Sequence, residues 1–300
     1  MEILEKRIPS ANGKHQLYCR VYLPDSEIKA LFHVVHGMSE HIRRYDRFMR
    51  KMAEQGFVCF GFDNLGHGYT VNYDSELGHI ENWQDMCTDV RNVSKQIKTE
   101  YGASLPCYLM GHSMGSFIVR CAVTPAIWDN LIIMGTGGPI AASGLGLRVI
   151  HHKITKKGST ATAPEVEKLL FGTFNQRFRK EHDSLSWLST IQETRDRFRA
   201  DKYCNVHFSL GGFQTLLKLQ TLSNTDAWFR NVSDSLPILL VSGADDPVGN
   251  YGKGVAKVFS LLKKRGKNVK MKLYPGCRHE ILNDVCRDMV IRDILRFIND

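Results

Sequence analysis

Short apolar runs alternate with amphipathic stretches along most of the chain. At the start, Ile3–Ile8 and Gln16–Leu23 flank the dipeptide Asn12-Gly13. Asn-Gly suits the positive φ angles of a tight turn, so this pattern predicts an antiparallel hairpin. Further runs lie at Ala30–His36, Phe57–Phe62, Cys107–Met110, Leu131–Met134, Pro237–Val241 and Val269–Tyr274. They are too short for core helices and too continuously apolar for a half-solvated sheet. They therefore predict strands of a parallel sheet covered on both faces. Helical patterns fall between them: Tyr45–Gln55 stopped by Gly56, Trp83–Tyr101 stopped by Gly102, Met114–Val123 before Pro125, Tyr251–Lys264, and a last one ending near Ile298. Parallel neighbours need crossovers, and these helices supply them. The expected class is α/β.

The alternation stops at about Pro139 and resumes after Asp226. Between them lies a stretch rich in Lys, Arg and aromatics with no clear strand. A structureless loop of that length is improbable in a compact domain. The expected organisation is a core of residues 1–138 and 227–300, with residues 139–226 inserted as a helical cap over the end of the sheet.

Composition narrows the class further. The chain has 300 residues, is 43% apolar and 24% charged, and contains 15 Phe, 10 Tyr and 4 Trp, so disorder, collagen and coiled coil are excluded. No apolar run approaches the roughly 18 residues that span a bilayer. The opening MEILEKRIPS carries charges where a secretory signal needs an apolar stretch, and the expected location is cytoplasmic. Eight cysteines are scattered through apolar segments without a C-x-x-C, which suits buried reduced thiols. The net charge of +9 admits nucleic acid, an anionic membrane face or acidic substrates as partners.

The chemistry narrows the choice. Gly111-His112-Ser113-Met114-Gly115 is a G-x-S-x-G string that follows a predicted strand and opens a predicted helix. A sharp turn there lifts the serine hydroxyl above the sheet, and the flanking positions must lack side chains. A serine needs a base, itself oriented by a carboxylate. After the run PILLV comes Ser242-Gly243-Ala244-Asp245-Asp246-Pro247, which offers two adjacent acids; Pro247 stiffens the turn after Asp246 and favours it, with Asp245 as the alternative. His279 follows the last predicted strand in Pro275-Gly276-Cys277-Arg278-His279-Glu280, the one expected place for the base. An oxyanion needs backbone donors, for which the candidates are the N–H of Met114 and, after the turn at Gly37, the N–H of Met38. No dinucleotide loop, P-loop or metal-ligand spacing is present, so no cofactor and no metal is expected.

These motifs together resemble the monoglyceride lipase and lysophospholipase-like branch of the α/β-hydrolases. HGMSEHIRRYDRF is similar to its HGxxEHxxRY loop, Asp63–Gly68 to its GHG loop, GHSMG to its nucleophile elbow, and VSGADDPV and YPGCRHE to its acid and base loops. The resemblance implies an α/β-hydrolase fold with Ser113 as nucleophile, His279 as base and Asp246 as acid. It implies oxyanion donors at Met38 and Met114, and bracing of that loop by Gly37, Glu40, His41 and Arg44. One departure is Thr70, which stands where the family's GHGxS has serine. The implied activity is a serine ester hydrolase on monoacylglycerol or lysophospholipid. A short-chain carboxylesterase, an aminopeptidase or amidase with the same triad, and a non-catalytic receptor on the same fold are the alternatives. The serine elbow argues against the Asp-based dehalogenases and epoxide hydrolases, and the apolar cap residues suit an acyl chain. Of the +9 charge, +5 falls in residues 139–226. With no binding motif beside it, this charge points to an anionic lipid surface rather than nucleic acid.

Overall fold

The computed structural model describes every residue except Pro125 and Asp300. Its centre is an eight-stranded sheet, β1 (Glu2–Pro9), β2 (Gln16–Leu23), β3 (Ala30–Val35), β4 (Phe57–Phe62), β5 (Cys107–His112), β6 (Asn130–Met134), β7 (Ile238–Gly243) and β8 (Val269–Tyr274), in the spatial order β1-β2-β4-β3-β5-β6-β7-β8. β1 and β2 are antiparallel to each other and β2 to β4, while every neighbouring pair from β4 to β8 is parallel. All residues of β3, β4, β6 and β7 are buried, which is why those runs carry no alternation. Two apolar layers, one on each side of the sheet, account for this.

Helices α1 (Asp46–Ala53), α2 (Trp83–Tyr101) and α3 (Met114–Ala122) supply the first crossovers. The chain then leaves the sheet after β6. It forms α4 (Ser143–Lys157), α5 (Pro164–Phe171), α6 (Gln192–Ala200), α7 (Leu210–Leu222) and α8 (Asp226–Asn231) before returning to β7; α9 (Lys253–Lys263) and α10 (Arg287–Asn299) complete the order. The expected cap limits fall in the loop before α4 and at the first residue of α8. Within the insertion the described residues show no strand beyond an isolated bridge, Thr162 to Ser209.

Two details differ from the sequence pattern. The first hairpin is not closed by a two-residue turn, because the last strand pair is Pro9 with Gln16 and Ser10 N–H reaches His15 O at 3.0 Å. The Asn12 side chain organises this longer loop by accepting from Lys14 and His15 N–H, and only Gly13 of the dipeptide has positive φ. Helix α1 starts one residue later than expected, since Ile42–Tyr45 forms a 3₁₀ turn, and it ends at Ala53. None of the eight cysteines forms a disulfide, and all except the half-buried Cys121 are buried. Among the described residues no helix is long and apolar enough to cross a membrane.

Candidate active site

The elbow forms where β5 meets α3. Ser113 has φ 54° and ψ −120°, a conformation that costs energy for a residue with a Cβ. It is tolerated because both flanking glycines let backbones close in. A Cβ on Gly115 would stand 2.2 Å from Val35 O, and one on Gly111 2.3 Å from Gly115 O. The carbonyl of Met134 at the end of β6 accepts from Ser113 N–H at 3.0 Å, and Ser116 Oγ donates to Ser113 O at 2.5 Å. The serine is thus held from β6 and from α3.

Asp246 and His279 come from the loops that follow β7 and β8. Both are buried, and His279 Nδ1 lies 3.0 Å from Asp246 Oδ2. Asp246 also accepts from Ser242 Oγ at 3.1 Å and from Val248 N–H at 2.8 Å. With Nδ1–H given to the carboxylate, His279 Nε2 is left as the lone-pair nitrogen, the state a general base requires. Its Cε1 lies 3.2 Å from where a Cβ on Gly135 would stand, next to the Met134 that holds Ser113. Of the two adjacent acids, Asp246 is the one within hydrogen-bonding distance of His279. Asp245 instead anchors the base loop through its own N–H, which donates to Cys277 O.

Around Gly37 a buried polar cluster sets the oxyanion loop. Gly37 N–H donates to Glu40 Oε1 at 2.6 Å, so that amide is already committed and Met38 follows it. A Cβ on Gly37 would meet Ser113 Cβ at 2.9 Å, so this loop packs directly on Ser113. Tyr45 OH donates to Glu40 Oε1 at 2.8 Å, and Arg44 lies between Glu40 and Glu280 with contacts of 2.5–3.0 Å. Burial alone would raise the Glu40 carboxyl, but His112 and Arg44 beside it hold it well below the ordinary range. His112 opposes burial in the same way and is raised by Glu40. Its Nε2 donates to the carbonyl of His279 at 3.2 Å, which ties the elbow to the base loop. His41, expected among the braces, is buried and turns toward the insertion, to Asp201 Oδ2 at 2.8 Å. Met114 is buried at the first turn of α3, and Met38 is half-buried.

The GHG loop supports the same end of the sheet. His36 Nδ1 donates to Gly37 O and its Nε2 accepts from Asn64 N–H, both at 2.8 Å, so the ring is neutral; burial pushes its pKa down to about 3. Asp63 accepts from Ile42 and Tyr69 N–H at 2.7 Å, and burial raises it to about 6. Thr70 fills its unusual place without loss, because its hydroxyl donates to Asp63 O and accepts from Tyr18 N–H.

Residues of the insertion reach the site through their backbone, a contact no side-chain pattern announces. Trp187 O accepts from His279 N–H at 3.3 Å, Leu188 O from Glu280 N–H at 2.8 Å, and Ser186 O from Arg278 at 2.6 Å. The Trp187 ring lies 5.3 Å from the His279 ring and continues into Phe174, Phe171 and Phe213. Arg120 is fully buried on α3. It donates to Thr136 Oγ1, to Asn224 Oδ1 and to Ser223 O, and stacks on Trp228. Thr136 Oγ1 in turn lies 2.8 Å from the Oγ of Ser116, whose single hydroxyl proton goes to the Ser113 carbonyl. A lone arginine in an apolar helix has no sequence signature of such a role.

Comparison with known proteins agrees with this architecture. A family model described as serine aminopeptidase, S33, matches residues 26–285. Monoglyceride lipase of Mus musculus is 30% identical over 291 residues, covering 93% of this chain and 87% of the relative. The probable lysophospholipase L2 of Haemophilus influenzae is 21% identical over 96% of this chain and 89% of its own length. Among solved structures, a thermostable carboxyl esterase from Bacillus coagulans superposes with a TM-score of 0.93 at 32% identity, covering 100% of this chain and 98% of that one. The chain belongs to the serine aminopeptidase (S33) family of α/β-hydrolases, in its monoglyceride lipase and lysophospholipase-like branch, and is a serine hydrolase.

Proposed function

We propose that the protein hydrolyses the ester bond of monoacyl lipids, monoacylglycerol or lysophospholipid, with Ser113, His279 and Asp246 as its triad. Ser113 Oγ attacks the ester carbonyl while His279 Nε2 takes its proton. The N–H groups of Met38 and Met114 hold the oxyanion, each such donor contributing about 3–4 kcal/mol in the transition state. His279 then protonates the departing alcohol and leaves an acyl-enzyme. Water, deprotonated by the same histidine, releases the fatty acid and restores Ser113. Asp246 orients the ring and stabilises its cation. Gly37, Glu40 and Arg44 shape the donor loop. Residues 139–226 act as the cap.

The observation that carries this reading is the aromatic row Phe213, Phe171, Phe174 and Trp187 packed ring to ring up to His279, an apolar wall of the kind an acyl chain lies against. Peptidase chemistry on a free N-terminus would need an unpaired cap carboxylate for the amine. Each of the eight acidic residues of 139–226 faces a cation or histidine: Glu165 Lys153, Glu167 His207, Glu181 Arg278, Asp183 Arg195, Glu193 Arg197, Asp196 Arg199, Asp201 His41 and Asp226 Arg265. Four cations of this region lie on α4, where Arg148, Lys153, Lys156 and Lys157 line a shallow groove of about 430 Å³ with Val149, and Leu145 on the same helix is exposed. We place this face toward an anionic lipid surface from which substrate enters.

Comparison of turnover on short-chain esters, monoacylglycerols, lysophospholipids and aminoacyl amides tests the proposal. Preference for the monoacyl lipids is expected, and turnover confined to amides would overturn it. Binding to anionic vesicles should weaken with salt; salt-insensitive binding would remove the membrane-facing role of α4.

A further inference from the structure

The sequence shows no metal-ligand spacing, yet the fold brings together three residues of metal-binding type from distant places. His41 follows the oxyanion loop, and Asp201 and Cys204 lie in the turn between α6 and α7. One donor atom from each falls within 4.8 Å of the others. We propose that His41, Asp201 and Cys204 form a binding site for a soft divalent transition ion of the zinc class, joining the cap to the oxyanion loop.

Nitrogen, carboxylate oxygen and sulfur are the donor types zinc takes together. In a tetrahedral site with bonds of about 2.0–2.3 Å, neighbouring donors stand about 3.3–3.8 Å apart. The three groups here need shifts of about an ångström to reach that spacing. A second observation points to a missing partner. The His41 ring is buried, and with Nε2 on Asp201 Oδ2 its Nδ1 has no hydrogen-bond partner. A buried ring nitrogen left unpaired is costly, and such a group in a folded protein calls for a bound water or ion. Charge is suitable as well. Arg44 stands close enough to favour the Cys204 thiolate, but its guanidinium lies between Glu40 and Glu280, so carboxylates outnumber it. Asp201 keeps 34% of its side chain exposed and gives an ion a way in from solvent, while Cys204 is buried.

Binding is balanced by protons. The ion takes the sulfur lone pair as the Cys204 thiol proton leaves to solvent, and a neutral His41 and an ionised Asp201 provide the other two bonds. The free thiol carries a proton that the ion must displace, so affinity rises with pH. Water completes the tetrahedron. The loop is already docked for the purpose, because Asn205 N–H donates to Ser39 O at 3.2 Å and Ser39 Oγ donates to Val206 O at 2.6 Å.

Titration of tag-free, full-length protein with cobalt(II) tests the site by a signal that does not depend on turnover. A thiolate-to-cobalt charge-transfer band saturating at one ion per chain is expected, displaced by zinc and absent in Cys204→Ser. Asp201→Asn should weaken zinc binding by tenfold or more. Zinc should also raise the melting temperature of the wild type and leave that of Cys204→Ser unchanged. No band in the wild type would overturn the proposal, as would a band that persists in Cys204→Ser or an equal thermal shift in the two proteins. Cys204→Ser should take a fluorophosphonate at the wild-type rate without metal, which shows that its fold is intact.

Discussion

Helix α3 of the elbow and helix α4 of the insertion flank β6 in sequence yet live in different solvents. Eight residues of α3 are buried, including a glycine, a serine and an arginine. In α4 only Ile150 is buried, and its outer face shows Leu145 and Val149 to water beside four cations. The first helix is fixed by dense packing, and its position is a property of the sheet. The second packs along α7 with one face and leaves the other to water, and the insertion of which it is part reaches the site through backbone carbonyls of 186–188 that accept from the base loop. The core therefore determines where Ser113 stands, while the cap helps determine where His279 stands.

That division can be broken at both ends, and the largest effect belongs to the base loop. Asp246→Asn should lower kcat by about 10⁴ with little change in KM, since the imidazole loses the carboxylate that fixes its tautomer. Asp245→Asn should stay within about threefold, and steady-state kinetics of the pair decides between the adjacent acids. On the core side, Gly115→Ala drives a Cβ to 2.2 Å from Val35 O, a backbone atom that cannot yield cheaply. Urea unfolding should show a loss of about 3 kcal/mol or more.

A smaller effect is expected where the cap grips the base loop. Arg278→Met removes the donor shared by Ser186 O and Glu181 and should reduce kcat about tenfold while KM moves little. A change confined to KM would mean that the cap only binds substrate.

A separate effect falls on stability rather than turnover and is confined to acid pH. His33, His36 and His67 are held by burial at pKa values of about 3, 3 and 4. Their unfolded values lie near 6.5, so below that pH the unfolded chain takes up protons that the folded one refuses. Stability should be intact above pH 6.5 and fall as pH drops toward 4, by at most about 1.4 kcal/mol per pH unit for each ring. Chemical denaturation across that window should show the loss, and His33→Asn should make it shallower.

The contrast also explains what the sequence disclosed. Fully buried β3, β4, β6 and β7 are readable because a two-sided core demands unbroken apolar runs, and the elbow is readable because two glycines are forced by backbone contacts under 2.5 Å. Asp246 rather than Asp245 is favoured by Pro247 after it and by the family pattern, with Asp245 left as the alternative, since the choice depends on how one loop turns. Arg120, the Trp187 carbonyl and the Asp201–Cys204 turn were not legible. Each acts across a long sequence separation through an atom whose type says nothing about its partner. The turn of His41 to Asp201 belongs to the same class: a histidine in a motif reports its presence, and only the fold reports which way it faces.

The account stands on the identity of the nucleophile, and active-site labelling reads that directly. Native protein incubated with a fluorophosphonate and mapped by peptide mass spectrometry should carry one adduct, on Ser113. Labelling should be abolished in Ser113→Ala and strongly slowed in His279→Ala. No adduct on the folded wild type, an adduct on another residue, or equal labelling of Ser113→Ala would contradict it.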